Sequence, residues 1–166
     1  METKSIERLN TLHPKIRQKA LDAYAESCKL TPNNVHPYIT ETTRSFERSE
    51  QLFNQPFDHK DNDGDGKIDE SDEKVSNSHG GASYHNYSLA VDFMLIINGK
   101  DSWNVDANWK LVASIFKKHG FTWGGDWTGG FKDYPHVEMR LGYTTSQLLA
   151  KYKAGLFIPG TKYLIL

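Results

Sequence analysis

The stretch GGASYHNYSLAVDF, residues 80–93, decides how this chain is read. His85 stands in a glycine- and serine-rich lead-in, and seven residues later Asp92 is embedded in an apolar run from Leu89 to Ile97. So continuous a run predicts a strand over 88–97, central in a sheet. A carboxylate buried in such a strand is costly without a partner, and a metal ion is one of the few that suffices.

Outward from that strand, helices and strands alternate without a regular βαβ rhythm, which predicts an α+β domain with a small, mainly antiparallel sheet. Residues 14–29 carry Ile16, Ala20, Ala23, Tyr24 and Cys28 at helical spacing after Pro14, so a helix is predicted with Cys28 as a small buried hydrophobe. VHPYIT, 35–40, reads as a short strand, and 44–55 as a second helix ended by Pro56. Residues 57–82 are polar and irregular. Trp109, Val112, Ile115 and Phe116 make the stripe of a helix over 105–119, capped by Gly120. Residues 120–135 are aromatic and glycine-rich and read as loop with strand pieces, HVEMR as a strand, and 144–155 as a last helix with a Thr144–Gln147 capping box. Trp103 and Trp109 are read as packing residues. The whole, 1–166, is expected to be a single domain.

Composition excludes several classes. A net charge of −1 argues against a non-specific nucleic-acid binder. The longest apolar run falls well short of the roughly 20 residues of a membrane span. The N-terminus shows no secretory signal, and one cysteine makes no internal disulfide.

Residues 61–72, DNDGDGKIDESD, have the oxygen-donor spacing of an EF-hand-type loop. Asp61, Asp63 and Asp65 occupy positions 1, 3 and 5, Gly66 the sharp turn, the Lys67 carbonyl position 7, Asp69 position 9 and Asp72 position 12. Calcium is therefore expected there, although position 12 is Asp rather than a bidentate Glu. The bland alternative is a solvated acidic turn.

Three protein ligands with one open position make a catalytic zinc site. His85, Asp92 and, in FKDYPHVEM, His136 are the candidates, with Asp133 three residues before His136. A lone histidine is more often an ordinary core or surface residue, and His13, His36, His59, His79 and His119 are read that way. Glu138 points to the same side of its strand as His136. It is either a rival base or a carboxylate that orients a ligand histidine.

SYHNYSLAVDF resembles the S-x-H-x(6)-D signature of the zinc D-alanyl-D-alanine carboxypeptidase and L-alanyl-D-glutamate peptidase family. WGGDWTGGFKDYPHVEM looks like that family's second block, ending in D/E-x-x-H, and TETTRSFERSEQLFNQ like its upstream arginine block. The resemblance spans about residues 5–140 and is closest to the L-alanyl-D-glutamate endopeptidase branch of phage endolysins and autolysins. It implies a hedgehog and D-Ala-D-Ala peptidase type of fold with a zinc site in a cleft on the sheet. It implies zinc on His85, Asp92 and His136, attack of a zinc-bound water with Asp133 as general base, and Arg44 holding substrate and the developing oxyanion. Ser83 matches the motif serine beside the metal. Ser88 stands where glycine is common, and the acidic loop fills a connection that is usually not acidic.

The expected function is hydrolysis of peptidoglycan stem peptides at the L-Ala–D-Glu bond, modulated by calcium. The alternatives are a D,D-carboxypeptidase or dipeptidase releasing D-Ala, and a non-catalytic binding module held by zinc and calcium. Trp123 and Trp127 either wall the substrate groove or pack in the core, Asp126 contacts substrate or pins its loop, and Arg44 could instead be a structural ion-pair residue. A monomer is expected, with no nucleic-acid or membrane partner. With no export signal visible, release by lysis, a holin or a delivery machine is the expected route to the wall.

Overall fold

The computed structural model of the protein describes residues 2–62, 64–68 and 76–166, so Asp63, Asp69 and Asp72 of the acidic loop lie outside the described residues. Among the described residues the α-helices and strands follow in the order α1 (Thr3–Leu9), α2 (Pro14–Leu30), β1 (Val35–Glu41), α3 (Phe46–Asn54), β2 (Ala90–Ile97), β3 (Lys100–Ser102), α4 (Ala107–Lys118), β4 (Thr122–Trp123), β5 (His136–Glu138) and α5 (Thr145–Lys153). The fold is α+β, and the chain divides into two compact units, Met1–Thr43 with Ser88–Leu141 and Arg44–Tyr87 with Gly142–Leu166.

The first unit is built on an antiparallel sheet of order β1-β2-β5-β4, with β3 also paired to β2. The apolar run is the central strand, and the pleat gives it two faces. Val91, Phe93 and Leu95 are fully buried on one. There the Phe93 ring lies 4.9 Å from Trp109 and 6.1 Å from Phe116, both on α4, which in turn packs on α2. Each such side chain contributes about 1.5–3 kcal/mol by leaving water. Asp92 belongs to the other face. Its register partners are His136 on β5 and, past a bulge between Ile39 and Glu41, Glu41 on β1.

The flanking helices follow their local signals. Asp106 caps α4 by accepting the Trp109 N–H at 2.9 Å. Ile16, Ala20, Ala23 and Tyr24 of α2 are buried as their spacing predicts, but Cys28 is only half-buried. Ser27 takes the core position, its hydroxyl satisfied by the Ala23 carbonyl at 2.8 Å. Trp103 is a second correction: its ring is 6.3 Å from Trp109, yet 55% of the residue is exposed. Two elements were not foreseen. α1 is short, and it is held by tertiary bonds: Ser5 Oγ accepts the Ile39 N–H at 3.0 Å, and Arg8 donates to the Ile39 carbonyl at 2.6 Å. β3 returns from β2 through Asn98-Gly99, both at positive φ (52° and 76°), the pairing a two-residue hairpin demands.

In the second unit, Ser45 caps α3 by accepting the Arg48 N–H at 3.0 Å. α3 ends at Asn54, and Pro56 stands in the 3₁₀ turn Gln55–Phe57 that follows it. α5 starts on the predicted Thr144–Gln147 capping box. Phe46 joins the two helices, its ring 4.5 Å from Tyr152 and edge-on to Tyr87 at 5.9 Å. Among the described residues no helix is long and apolar enough to cross a membrane.

Candidate metal centre and active site

β5 carries His136 and Glu138 on the face away from α4, with Val137 between them buried opposite Val91. Asp92 shares that face. Its Oδ1 is 3.0 Å from His136 Nδ1, and Glu138 Oε2 is 3.0 Å from His136 Nε2. Arg140 Nε then donates to Glu138 Oε1 at 2.5 Å. His136 and Glu138 are nearly inaccessible, with side chains 7% and 3% exposed. Burial opposes a charged imidazole, yet the bonds and charges of Asp92 and Glu138 prevail and push His136 up to about 10. Burial likewise raises the Glu138 carboxyl, but His136 and Arg140 outweigh it and hold it below its usual range. A row that stabilises a cationic imidazole this strongly is suited to a dication.

His85 sits in the 3₁₀ turn Tyr84–Tyr87 and is buried. Two imidazoles and a carboxylate, His85, Asp92 and His136, are donor types that could hold a metal ion. Zinc bonded at about 2.0–2.1 Å to nitrogen and oxygen spaces tetrahedral donors about 3.3 Å apart. The 3.0 Å between Asp92 Oδ1 and His136 Nδ1 is close to that edge. With Nε2 directed at the Glu138 carboxylate, Nδ1 is the nitrogen that faces Asp92, the tautomer a carboxylate–histidine–metal arrangement requires. The donor set fits zinc.

Around His85, the Ser83 hydroxyl accepts the His85 N–H at 3.3 Å, and the Arg44 N–H donates to the His85 carbonyl at 3.1 Å. Arg44 and Ser83 are half-buried. Sequence reasoning passed over two neighbours of the candidate site residues: Asn86, next in the chain to His85, and Arg140, two residues beyond Glu138. Their types carry no motif, and adjacency to a candidate ligand was the signal that could have found them.

Asp133 is half-buried and its carbonyl accepts the His136 N–H at 3.3 Å, so a single turn sets the two. The same turn rests on Gly124, whose carbonyl accepts the Asp133 N–H at 3.2 Å. A Cβ at Gly124 would lie 2.3 Å from the Asp133 carbonyl oxygen. The two tryptophans separate. Trp123 pins the loop, its Nε1 donating to the Tyr134 carbonyl at 2.7 Å. The Trp127 ring is 5.5 Å from His136, and its buried Nε1 has no hydrogen-bond partner among the described residues. Asp126 pairs with Lys117 at its loop. The histidines read as ordinary behave so. His13 caps α2, His79 bonds Glu50, His119 bonds Glu26, and His36 and His59 are exposed.

In the described part of the acidic loop, Asp61 accepts the Gly64 N–H at 2.6 Å and the Gly66 N–H at 3.0 Å, and Lys67 Nζ lies 3.0 Å from Asp65. Gly66 has φ +93°, the sharp turn expected at that position.

A family model described as D-alanyl-D-alanine carboxypeptidase matches residues 76–139, the segment that holds His85, Asp92, Asp133, His136 and Glu138. The Bacillus subtilis peptidoglycan L-alanyl-D-glutamate endopeptidase CwlK is 36% identical over 137 residues, which is 77% of this chain and 73% of that protein. The chain belongs to the D-alanyl-D-alanine carboxypeptidase and L-alanyl-D-glutamate peptidase family. A Listeria phage L-alanyl-D-glutamate peptidase is 36% identical over 83 residues, 45% of this chain and 29% of that one. Two solved structures share the fold. The Serratia marcescens L-Ala D-Glu endopeptidase ChiX aligns with a TM-score of 0.59 at 20% identity, covering 84% of this chain and 88% of its own. The LD-carboxypeptidase LdcB aligns at 0.56 and 16% identity, covering 86% and 64%. The acidic loop at 61–72 lies outside the segment that the family model matches.

Proposed function

We infer that this family member hydrolyses the L-Ala–D-Glu bond of peptidoglycan stem peptides, with zinc held by His85, Asp92 and His136. The observation that carries the reading is the row Asp92–His136–Glu138, in which each nitrogen of a buried histidine faces a carboxylate at 3.0 Å. The choice of bond is supported by the likeness to CwlK over 77% of the chain. Zinc, when bound, polarises the scissile carbonyl and makes water nucleophilic at neutral pH. Asp133 takes a proton from the attacking water and delivers it to the leaving amine. Arg44 sets a permanent positive charge where the carbonyl oxygen gains negative charge. Ser83 and Trp127 are substrate-binding residues, and Glu138 orients His136. Trp123 serves the same wall through its hold on the loop.

The acidic loop adds a calcium site on the Asp61, Asp65 and Lys67 frame, with Asp63 and Asp72 completing it. Calcium bound there acts on the connection between α3 and the His85 turn. At constant zinc, calcium is expected to raise activity or melting temperature, and no change in either rejects the site. The protein acts as a monomer on wall that it reaches after lysis, through a holin or by a delivery machine.

The deciding experiment is mass spectrometry of fragments released from purified peptidoglycan by the zinc-loaded protein. Stem peptides with a new N-terminal D-Glu are expected. Release of D-Ala alone moves the activity to a carboxypeptidase, and no cleavage leaves a binding module.

A further inference from the structure

Asn86 has a saturated carboxamide. Its Oδ1 accepts the backbone N–H of Gly81 at 2.9 Å and of Ser83 at 3.3 Å. The two hydrogens of its Nδ2 are shared among three acceptors, the carbonyls of Arg44 at 3.1 Å and Ser45 at 3.2 Å and the Ser49 hydroxyl at 2.8 Å. Amide N–H groups only donate and carbonyls only accept, so these partners set which end of the side chain is oxygen. A side chain with two donors and an acceptor at that reach is asparagine; aspartate would turn an oxygen on two carbonyls.

The bonds converge on one junction. The loop before His85 is fastened to α3 at its far end as well, where Glu50 accepts the Gly80 N–H at 3.0 Å and meets His79 Nδ1 at 3.0 Å. The approach is so close that a Cβ on Gly80 would lie 2.7 Å from the Phe46 carbonyl oxygen. At the near end, the Arg44 N–H reaches the His85 carbonyl. Asn86 fastens two pieces to its own turn there: the loop entering it, through Gly81 and Ser83, and the chain from Arg44 to the buried Ser49 of α3. A four-residue 3₁₀ turn has little ladder of its own to hold a side chain's direction.

We propose that Asn86 is a positioning residue, whose carboxamide locks the His85 turn onto the start of α3 and so presents His85 and Arg44 in one fixed arrangement. The proposal rests on the reading of His85 as a zinc ligand. It acts through backbone, so its loss frees the turn and lowers metal affinity, as the loss of groups behind metal ligands does by about 10- to 100-fold.

The test uses the full chain as Asn86→Ala, Asn86→Asp, Ser49→Ala and His85→Ala. It reads zinc affinity by chelator competition, the visible spectrum of the cobalt-substituted protein, and kcat and KM separately. Both Asn86 variants are expected to lose about 10- to 100-fold in zinc affinity and to shift the cobalt bands, with kcat falling more than KM rises. Ser49→Ala, which removes one of the three acceptors around Nδ2, is expected to fall less in the same direction. Folded Asn86 variants with native zinc affinity and cobalt spectrum overturn the proposal. Should Asn86→Ala fail to fold, native zinc affinity in Ser49→Ala overturns it equally. Native zinc affinity in His85→Ala instead rejects the ligand reading on which it rests.

Discussion

His136 Nε2 and Glu138 Oε2 are 3.0 Å apart, two residues apart on one strand and both shut off from solvent. The pleat makes this pairing automatic once both face the same side, and it leaves Nδ1 turned toward Asp92. Glu138 is thus engaged by His136 and by Arg140, which separates its work from that of a base.

That separation is testable. Glu138→Ala is expected to weaken zinc binding by about 10- to 100-fold, whereas Glu138→Gln, which keeps an acceptor for Nε2, loses less than about tenfold. Chelator competition measures both. If Glu138→Gln instead abolishes turnover while zinc stays tight, Glu138 is the base and the orienting role is wrong.

Asp133→Asn is expected to lower kcat by about 10²- to 10⁴-fold, the usual weight of a general base. Zinc affinity should remain native, because a base that acts on water is not one of the metal's ligands. Stem-peptide turnover with a parallel zinc titration checks this. Near-native kcat in the variant removes Asp133 from the chemistry.

Gly124→Ala forces a methyl group to within 2.3 Å of the Asp133 carbonyl oxygen, a backbone atom that cannot swing aside. Overpacking of this kind costs about 1–3 kcal/mol, read as a lower melting temperature. The displaced Asp133 turn should also lower kcat beyond what reduced stability explains. An unchanged kcat in folded protein would show that the base does not depend on this contact.

Tyr24 and Tyr87 are buried, and burial pushes each phenol up to about 12 from an ordinary value near 10. A folded-state pKa above the unfolded value means the neutral form is favoured by folding. That stability is complete below pH about 10 and is lost as pH rises toward about 12. Tyrosinate absorbance should show Tyr24 and Tyr87 ionising late, together with alkaline unfolding. Tyr24→Phe should remove one of the two late steps, and a titration identical to the native one refutes the assignment.

Much of this molecule was legible in its chain. The apolar run around Asp92 declared a central strand because only a strand paired on both sides hides so many consecutive side chains. The α4 stripe, the Thr144–Gln147 box and the glycine after α4 are local devices whose physics operates within a few residues, so they were read directly. The Asn98-Gly99 hairpin was equally local and was passed over. Cys28 against Ser27, the exposure of Trp103 and the existence of α1 were different in kind. Each depends on what a remote element places beside it, as Ile39 does for Ser5 and Arg8. The ligand types and their order along the chain came from sequence. Tertiary structure decided that β5 lies in register with β2 so that His136 meets Asp92, that Glu138 takes the other nitrogen, and that Asn86 ties the His85 turn to α3. Register and side-chain hydrogen bonds form between segments about 40 residues apart, where no periodicity or spacing rule reaches.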